Sequence, residues 1–202
     1  MLRYLALILA FLLSGCQSTP SSPANPGKLW IASIQKDEFT DVEIRMVTVG
    51  AFRSRSNYLF TKTGNYYPFI GSKNGEICVG IRSGGTYRIP TGTVQIRIDE
   101  NPAWTITPDE TPVDMMPSAN APALGNQAVS ADIMATMTKF MSPYTATTDE
   151  KAKQIVRQML QGRVVRYRTI GLNQAASTTG EVLLDASFAE GLRAIGIDTN
   201  AL

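Results

Sequence analysis

The chain has 202 residues, 44% of them hydrophobic, and it carries 19 Lys and Arg against 17 Asp and Glu with no His. This near balance offers no excess of basic charge to displace phosphate counterions, so nucleic acid is not an expected partner. Without histidine the chain lacks the commonest general base and the commonest metal ligand, which excludes Ser-His-Asp and Cys-His catalysis and ordinary zinc sites. No cofactor or metal is expected.

The first residues carry a targeting pattern. Arg3 provides a positive start and residues 5–13 are almost uninterruptedly apolar. This apolar run is too short to span a hydrocarbon core of ~30 Å, which is typical of a cleaved signal and not of a permanent helix. The small residues Ser14 and Gly15 that follow leave an ordinary secretory signal as the alternative interpretation.

The motif Leu13-Ser14-Gly15-Cys16 resembles the processing site of bacterial lipoproteins. The resemblance implies that residues 1–15 are a cleaved signal peptide and that Cys16 carries a diacylglyceryl thioether and an acylated amino group. Gln17, with no Asp in its place, resembles the lipoproteins that enteric bacteria sort to the outer membrane. Residues 16–27 are rich in Pro and Ser, which predicts a polar, lipidated tether.

Residues 28–202 are predicted to form a single β-rich periplasmic domain, with two small domains as the alternative. Segments 29–34 and 42–46 alternate apolar and polar side chains, which predicts half-buried strands. Turn residues predict three hairpins, joining 57–62 to 66–70, 76–82 to 87–89, and 93–98 to 103–107. Cys78 is expected to be buried in a strand, because lipidation of Cys16 leaves it without an intramolecular disulfide partner; an intermolecular bridge is the alternative.

The second half of the domain is predicted to be mostly helical after a proline-rich flexible loop at 108–126. An apolar stripe at 133–141 is expected to pack on a sheet. The pair Thr147 and Glu150 predicts the capped start of a helix that ends at Gly162. Two strands and a last helix are expected after it, at 164–170, 181–185 and 187–195, and Ser187 with Glu190 is the predicted cap of that helix. The pattern predicts an α+β fold, an antiparallel β-sandwich or partly open barrel with two to three helices in its C-terminal half.

Two pairs of adjacent acids are candidates for catalysis. A peptidoglycan-acting hydrolase with an acid pair is an alternative function, for which Asp99-Glu100 and Asp109-Glu110 are the candidates. Neighbouring side chains on a turn diverge, however, and Asp99 has an ordinary turn role in bonding nearby backbone amides. We therefore assign no catalytic residue and expect a protein that is not an enzyme.

The arginines suggest a binding surface. Arg166 and Arg168 share one face of a predicted strand around Tyr167, and Arg97 lies on another strand. If these strands share a sheet, Arg97, Arg166, Tyr167 and Arg168 form a surface suited to carboxylate or phosphate groups. The alternative interpretation is a solvated strand face with scattered ion pairs.

Short motifs between residues 76 and 195 carry a family resemblance. They are Arg97-Ile98-Asp99 with Pro102 and Trp104, Arg166-Tyr167-Arg168, Ala186-Ser187-Phe188 and Gly191-Leu192. Together they resemble the invasion-associated locus B family and certain type VI secretion accessory lipoproteins, although this chain lacks the paired cysteines of some members. The resemblance implies a non-enzymatic envelope domain and transfers no catalytic residue.

The expected function is that of a membrane-anchored periplasmic lipoprotein, a binding or accessory module of the bacterial envelope. Its expected partners are the membrane, through the lipid, and an envelope protein or a cell-wall polymer. A phage- or plasmid-encoded exclusion lipoprotein is a further alternative.

Overall fold

The computed structural model describes residues 28–36, 43–49, 52–53, 59–60, 66–73, 75–84, 89–112, 131–170 and 178–202. The predicted signal peptide, Cys16 and the tether lie outside these ranges, as does the predicted loop from residue 113 onwards. The elements are β1 (Ile31–Lys36), β2 (Glu43–Thr48), β3 (Phe52–Arg53), β4 (Leu59–Phe60), β5 (Tyr66–Lys73), β6 (Glu76–Ser83), β7 (Thr93–Ile98), β8 (Trp104–Ile106), a 3₁₀ turn (Pro108–Glu110), α1 (Ala131–Phe140), β9 (Tyr144–Thr147), α2 (Asp149–Gln161), β10 (Val164–Ile170), β11 (Thr179–Leu183) and α3 (Ala186–Ala194).

The strands form two main antiparallel sheets. The first sheet has the order β1-β2-β5-β6-β9 and the second the order β11-β10-β7-β8, while β3 and β4 pair separately. Together with the three helices this is an α+β sandwich, which confirms the predicted class in its sandwich form. No helix in the described part of the chain combines the length and apolar character needed to cross a bilayer.

A single main core joins the two sheets. In β7 every second residue faces inward, and Val94, Ile96 and Ile98 are at most 1% exposed. The predicted face of α2, including Ile155 and Val156, is buried in the same core. Each such side chain contributes about 1.5–3 kcal/mol on burial, so the inward faces of the strands and of α2 stabilise the fold together.

The start of β1 is tied to the end of the chain. The Trp30 indole nitrogen donates to the Leu183 carbonyl at 2.8 Å, and the Trp30 ring packs against Phe188 at 4.8 Å between centroids. Ser187 was predicted to cap α3, but the cap is Asp185, whose carboxylate accepts from the Ser187 amide at 3.0 Å. Ser187 is buried instead and its hydroxyl accepts from the Trp30 amide, which explains why it does not act as the cap.

One predicted hairpin is confirmed and two are wrong in their pairing. β7 and β8 pair across residues 99–102, as predicted. β6 pairs instead with β5 and with β9, and the β5–β6 turn contains Gly75 at a φ of 84°. β4 pairs with β3 within the described residues, and the predicted turns at 63–65 and 85–86 lie outside them. The alternation of apolar and polar residues determines which face of a strand is buried. It does not determine which strand lies next to it, because several strands of the chain have the same alternation.

The apolar stripe of α1 was predicted to pack on a sheet, and that prediction is wrong. Ile133, Met137, Phe140 and Met141 are 49–67% exposed. The described contacts of α1 include the 3₁₀ turn, where Lys139 donates to the Asp109 carbonyl at 2.6 Å. Helical spacing gathers apolar side chains on one face but does not supply a partner for that face.

The start of α2 and the first residues of the predicted loop also differ from expectation. Thr147 is the last residue of β9 and its hydroxyl donates to Glu110 at 3.0 Å, so it does not cap α2; the cap position is Thr148. Pro108 begins the 3₁₀ turn and is buried, as is Thr111. This part of the predicted flexible loop is therefore packed structure.

Candidate functional site

The second sheet presents a polar face away from the core, hereafter the outer face. Antiparallel pairing places Arg166 of β10 opposite Arg97 of β7, and Arg168 opposite Gln95. Odd-numbered residues of β10 point inward and are buried, so these arginines point outward and are exposed. The three predicted arginines therefore share one rigid surface, hereafter the arginine surface (Arg97, Arg166 and Arg168).

Two of these arginines are held by carboxylates. Glu100 accepts from Arg97 at 2.8 Å and from Arg166 at 3.4 Å, and so bridges the two strands. Arg166 also donates through Nε to Glu181 of β11 at 2.8 Å. This hydrogen bond to Glu181 raises the pKa of the exposed Arg166 guanidinium. Exposed ion pairs of this kind contribute roughly 0–1 kcal/mol each, so they orient the guanidinium groups more than they stabilise the fold.

Arg168 differs from its two neighbours. Its Nε donates to the Gln95 side-chain oxygen at 2.7 Å, and Gln95 in turn donates to the Thr105 hydroxyl at 3.0 Å. In the described part of the chain, Arg168 forms no ion pair. Its guanidinium is thus oriented by a neutral amide and retains Nη donors suited to a carboxylate or phosphate.

A groove of about 570 Å³ lies over this surface. The arginine surface carries three guanidinium groups, and the acids paired with them are two, Glu100 and Glu181, so positive charge exceeds negative charge there. An anionic group is therefore the ligand favoured by the local charge. The exposed or half-buried polar side chains that line the groove are Gln95, Arg97, Arg166, Arg168, Thr179 and Glu181.

Tyr167 was predicted as part of the binding surface, and it is among the residues that line the groove, but most of the residue is buried in the core. Only 9% of the residue is exposed, and its hydroxyl donates to the Tyr66 backbone carbonyl of the first sheet at 2.9 Å. The alternation of β10 is the reason, since neighbours of outward-pointing arginines point inward. Burial raises the pKa of the Tyr167 phenol to about 12. Tyr167 thus joins the two sheets of the sandwich.

The two acids of the first candidate catalytic pair point in different directions. The Asp99 carboxylate accepts from the Arg163 and Val164 amides at 3.0–3.2 Å, which ties the β7–β8 turn to the start of β10. Glu100 turns instead toward the arginine surface. The sequence predicted that Asp99 bonds nearby backbone amides, and this is wrong in its partners, because the amides belong to Arg163 and Val164 in a distant part of the chain.

In the second pair, Glu110 has several partners. Burial opposes its ionisation, but hydrogen bonds from Lys151 at 2.7 Å, from the Thr107 amide and from Thr147 lower the pKa of the Glu110 carboxyl. Asp109 is exposed, and its carbonyl accepts from Lys139. Glu110 therefore connects the 3₁₀ turn with β9 and α2, a role in the fold.

Cys78 lies in β6 and is fully buried, as predicted. It belongs to a small apolar cluster on the other face of the first sheet, with Phe69, Tyr144 and Ala146. Among the described residues, no group of three or more His, Cys, Asp or Glu side chains lies close enough to hold a metal ion.

Comparisons of the chain with protein-family models, with curated proteins and with solved structures find no match. What the outer face binds must therefore follow from its own side chains. Sequence reasoning found the three arginines but missed Gln95, Glu181 and Thr179, which lie beside them. The alternation of β7 already placed Gln95 on the same face as Arg97, and that signal was available in the sequence.

Proposed function

We propose that the chain is a bacterial lipoprotein acylated at Cys16 and held at the periplasmic face of the outer membrane. The motif at 13–16 and the residue after it, Gln17, support the anchor and its sorting. In this proposal residues 28–202 act as a non-enzymatic binding module of the envelope. Its partner is an envelope protein or a cell-wall polymer that bears carboxylate or phosphate groups.

The arginine surface is the observation that carries the binding role. Its guanidinium groups are exposed, lie on paired strands and are oriented by named hydrogen bonds, as for Arg168 on Gln95. Rigid strands fix the spacing of such groups, and a planar guanidinium matches a carboxylate or phosphate in two parallel hydrogen bonds.

The anchor is tested by mass spectrometry of the full chain recovered from membranes. We expect loss of residues 1–15 and a diacylglyceryl adduct on Cys16. Cys16→Ser should remain unprocessed, whereas Cys78→Ser is the matched control and should be processed normally. An intact start with unmodified Cys16 would contradict the anchor, and sedimentation with inner-membrane vesicles in a density gradient would contradict the sorting.

Binding is tested with two probes, co-sedimentation with purified peptidoglycan sacculi and photo-crosslinking in cells from a reactive side chain placed at Thr105. Arg168→Gln should weaken retention or crosslinking about two- to fivefold, as expected for one exposed charge contact. Arg157→Gln is the control, because Arg157 is a surface arginine of α2 paired with Glu150 at 2.7 Å. Failure of both probes, or equal losses in the two variants, would refute the binding role.

A further inference from the structure

The strand β11 forms an edge of the second sheet, and its hydrogen bonds show which of its backbone groups face outward. The Leu184 amide donates to the Arg163 carbonyl at 2.8 Å, and the Thr169 amide to the Thr178 carbonyl at 3.0 Å. In an antiparallel pair, hydrogen-bonded and non-hydrogen-bonded residues alternate. Even-numbered residues of β11 therefore bond to β10, and the amides and carbonyls of Thr179 and Glu181 point out of the sheet.

The next outward carbonyl agrees with this assignment. The Leu183 carbonyl accepts from the Trp30 indole rather than from β10. No described strand pairs with the outer side of β11, and Thr179, Glu181 and Leu183 are exposed, Leu183 to 58%. The other end of this sheet differs, since the Thr105 carbonyl of β8 accepts from Lys151 of α2 at 2.7 Å. Along the β11 edge (Thr179–Leu183), the outward backbone groups of Thr179 and Glu181 are thus open to an added strand, whereas the Leu183 carbonyl is occupied by Trp30 and only the Leu183 side chain remains exposed.

The side chains along this edge define what an added strand must carry. Thr179, Glu181 and Leu183 share the outer face of β11, and Arg168 lies on β10 directly opposite Thr179. A strand added at about 4.8 Å places one side chain beside Thr179 and about 10 Å from the backbone of Arg168. Because threonine is short, the Arg168 side chain can cross it to an acidic side chain on the added strand when its Nε exchanges the neutral Gln95 oxygen, on the opposite side of β10, for that carboxylate.

We propose that the β11 edge binds an extended acidic peptide segment of a partner protein by strand addition, with Arg168 pairing its carboxylate. This rests on the proposed function and names its partner. An apolar side chain four positions from the acid would contact Leu183, and the residue between them would face Glu181, which Arg166 already holds. Backbone hydrogen bonds would supply affinity and this spacing would supply specificity.

The proposal is tested by selecting peptides from a phage-displayed library of random twelve-residue sequences on the full chain in mild detergent. We expect enrichment of peptides with an acidic residue four positions from an apolar one. Selected peptides are then synthesised, and their affinity for each variant is measured by fluorescence anisotropy. Peptides without this pattern would overturn the proposal.

Thr179→Pro removes an outward amide and should weaken peptide binding about tenfold or more, since proline cannot donate the hydrogen bond. Thr179→Val, the matched control, keeps the amide and should bind as the unmodified chain does. Arg168→Gln should weaken binding about two- to fivefold. Equal binding by Thr179→Pro and Thr179→Val would refute strand addition.

A measurement on the unsubstituted chain covers the case in which Thr179→Pro does not fold. A bound peptide should slow hydrogen exchange at the Thr179 and Glu181 amides, which should exchange rapidly without it. Unchanged exchange at saturation would also refute strand addition. If sacculi bind in an Arg168-dependent way while no peptide does, a polymer is the partner: this inference fails and the proposed function stands. If neither binds, both fail.

Discussion

Tyr167 provides the sharpest test of how the sandwich is held together. Its hydroxyl donates across the core to the Tyr66 carbonyl at 2.9 Å, and burial raises the pKa of the Tyr167 phenol to about 12 from an ordinary value of 10.0. The folded state therefore favours the neutral phenol. The resulting stability is fully present below pH 10 and is lost as the pH rises towards 12.

The magnitude follows from the size of this shift. A displacement of about two pKa units corresponds to about 2.7 kcal/mol in full, of which about 2 kcal/mol is lost by pH 11.5. Tyr167→Phe cannot ionise, but it loses the hydrogen bond to Tyr66, at a cost of about 1 kcal/mol. We expect the unmodified chain to be more stable by about 1 kcal/mol at pH 8 and less stable by about 1 kcal/mol at pH 11.5. The order of stability should reverse at about pH 10.7.

The assay is urea denaturation of both proteins, monitored by tryptophan fluorescence, at several pH values between 8 and 11.5. Effects of alkaline pH on lysine are common to both chains and cancel in the difference. Tyr66→Phe is the control, because Tyr66 makes this contact through its backbone. Parallel pH profiles for Tyr167→Phe and the unmodified chain, without a reversal, would refute the account of Tyr167 as a buried, neutral link between the sheets.

Three further substitutions test other contacts of the fold, each by urea denaturation. Gly180→Ala should cost about 1–3 kcal/mol, because the new Cβ would lie 2.3 Å from the Tyr167 ring; an unchanged midpoint would contradict this close packing. Glu110→Gln should cost about 1–2 kcal/mol at pH 7. The difference in stability between the two proteins should shrink as the pH falls below 4.5, because the lowered pKa of Glu110 gives stability that is lost on protonation, and a difference that does not depend on pH would contradict this account. Asp99→Ala should cost about 2 kcal/mol, because Asp99 accepts hydrogen bonds from two backbone amides and has a φ of 47°. Asparagine tolerates that φ, so Asp99→Asn should cost less, and equal losses in the two variants would contradict the role of the backbone angle.

Several local features were predictable because they depend on residues close together in the chain. The alternation of β10 placed Arg166 and Arg168 on one face, and the same alternation implies that Tyr167 points the other way. The buried face of α2 and its end at Gly162 were predicted from helical spacing and from the glycine. Such patterns follow from the periods of the strand and of the helix.

Other features required the tertiary structure. Helical spacing predicted a buried stripe on α1, yet Met137 is 53% exposed, because spacing does not reveal whether another element covers the face. Thr147 matched a helix cap by position, but its hydroxyl bonds to Glu110, which comes from a different element. A residue that matches a local capping motif can instead bond to a residue from a distant part of the chain, and the motif does not reveal that partner.

The candidate binding surface shows the same division. Sequence alone placed two arginines on one face of a strand and showed that Cys16 ends a motif resembling that of lipoproteins. Only the pairing of β7 with β10 placed Arg97 opposite Arg166 and left Arg168 beside Gln95, and only the end position of β11 left its outward amides exposed. Backbone geometry fixes the direction of each side chain within a strand, whereas the choice of neighbouring strand depends on how distant segments bury their apolar faces together.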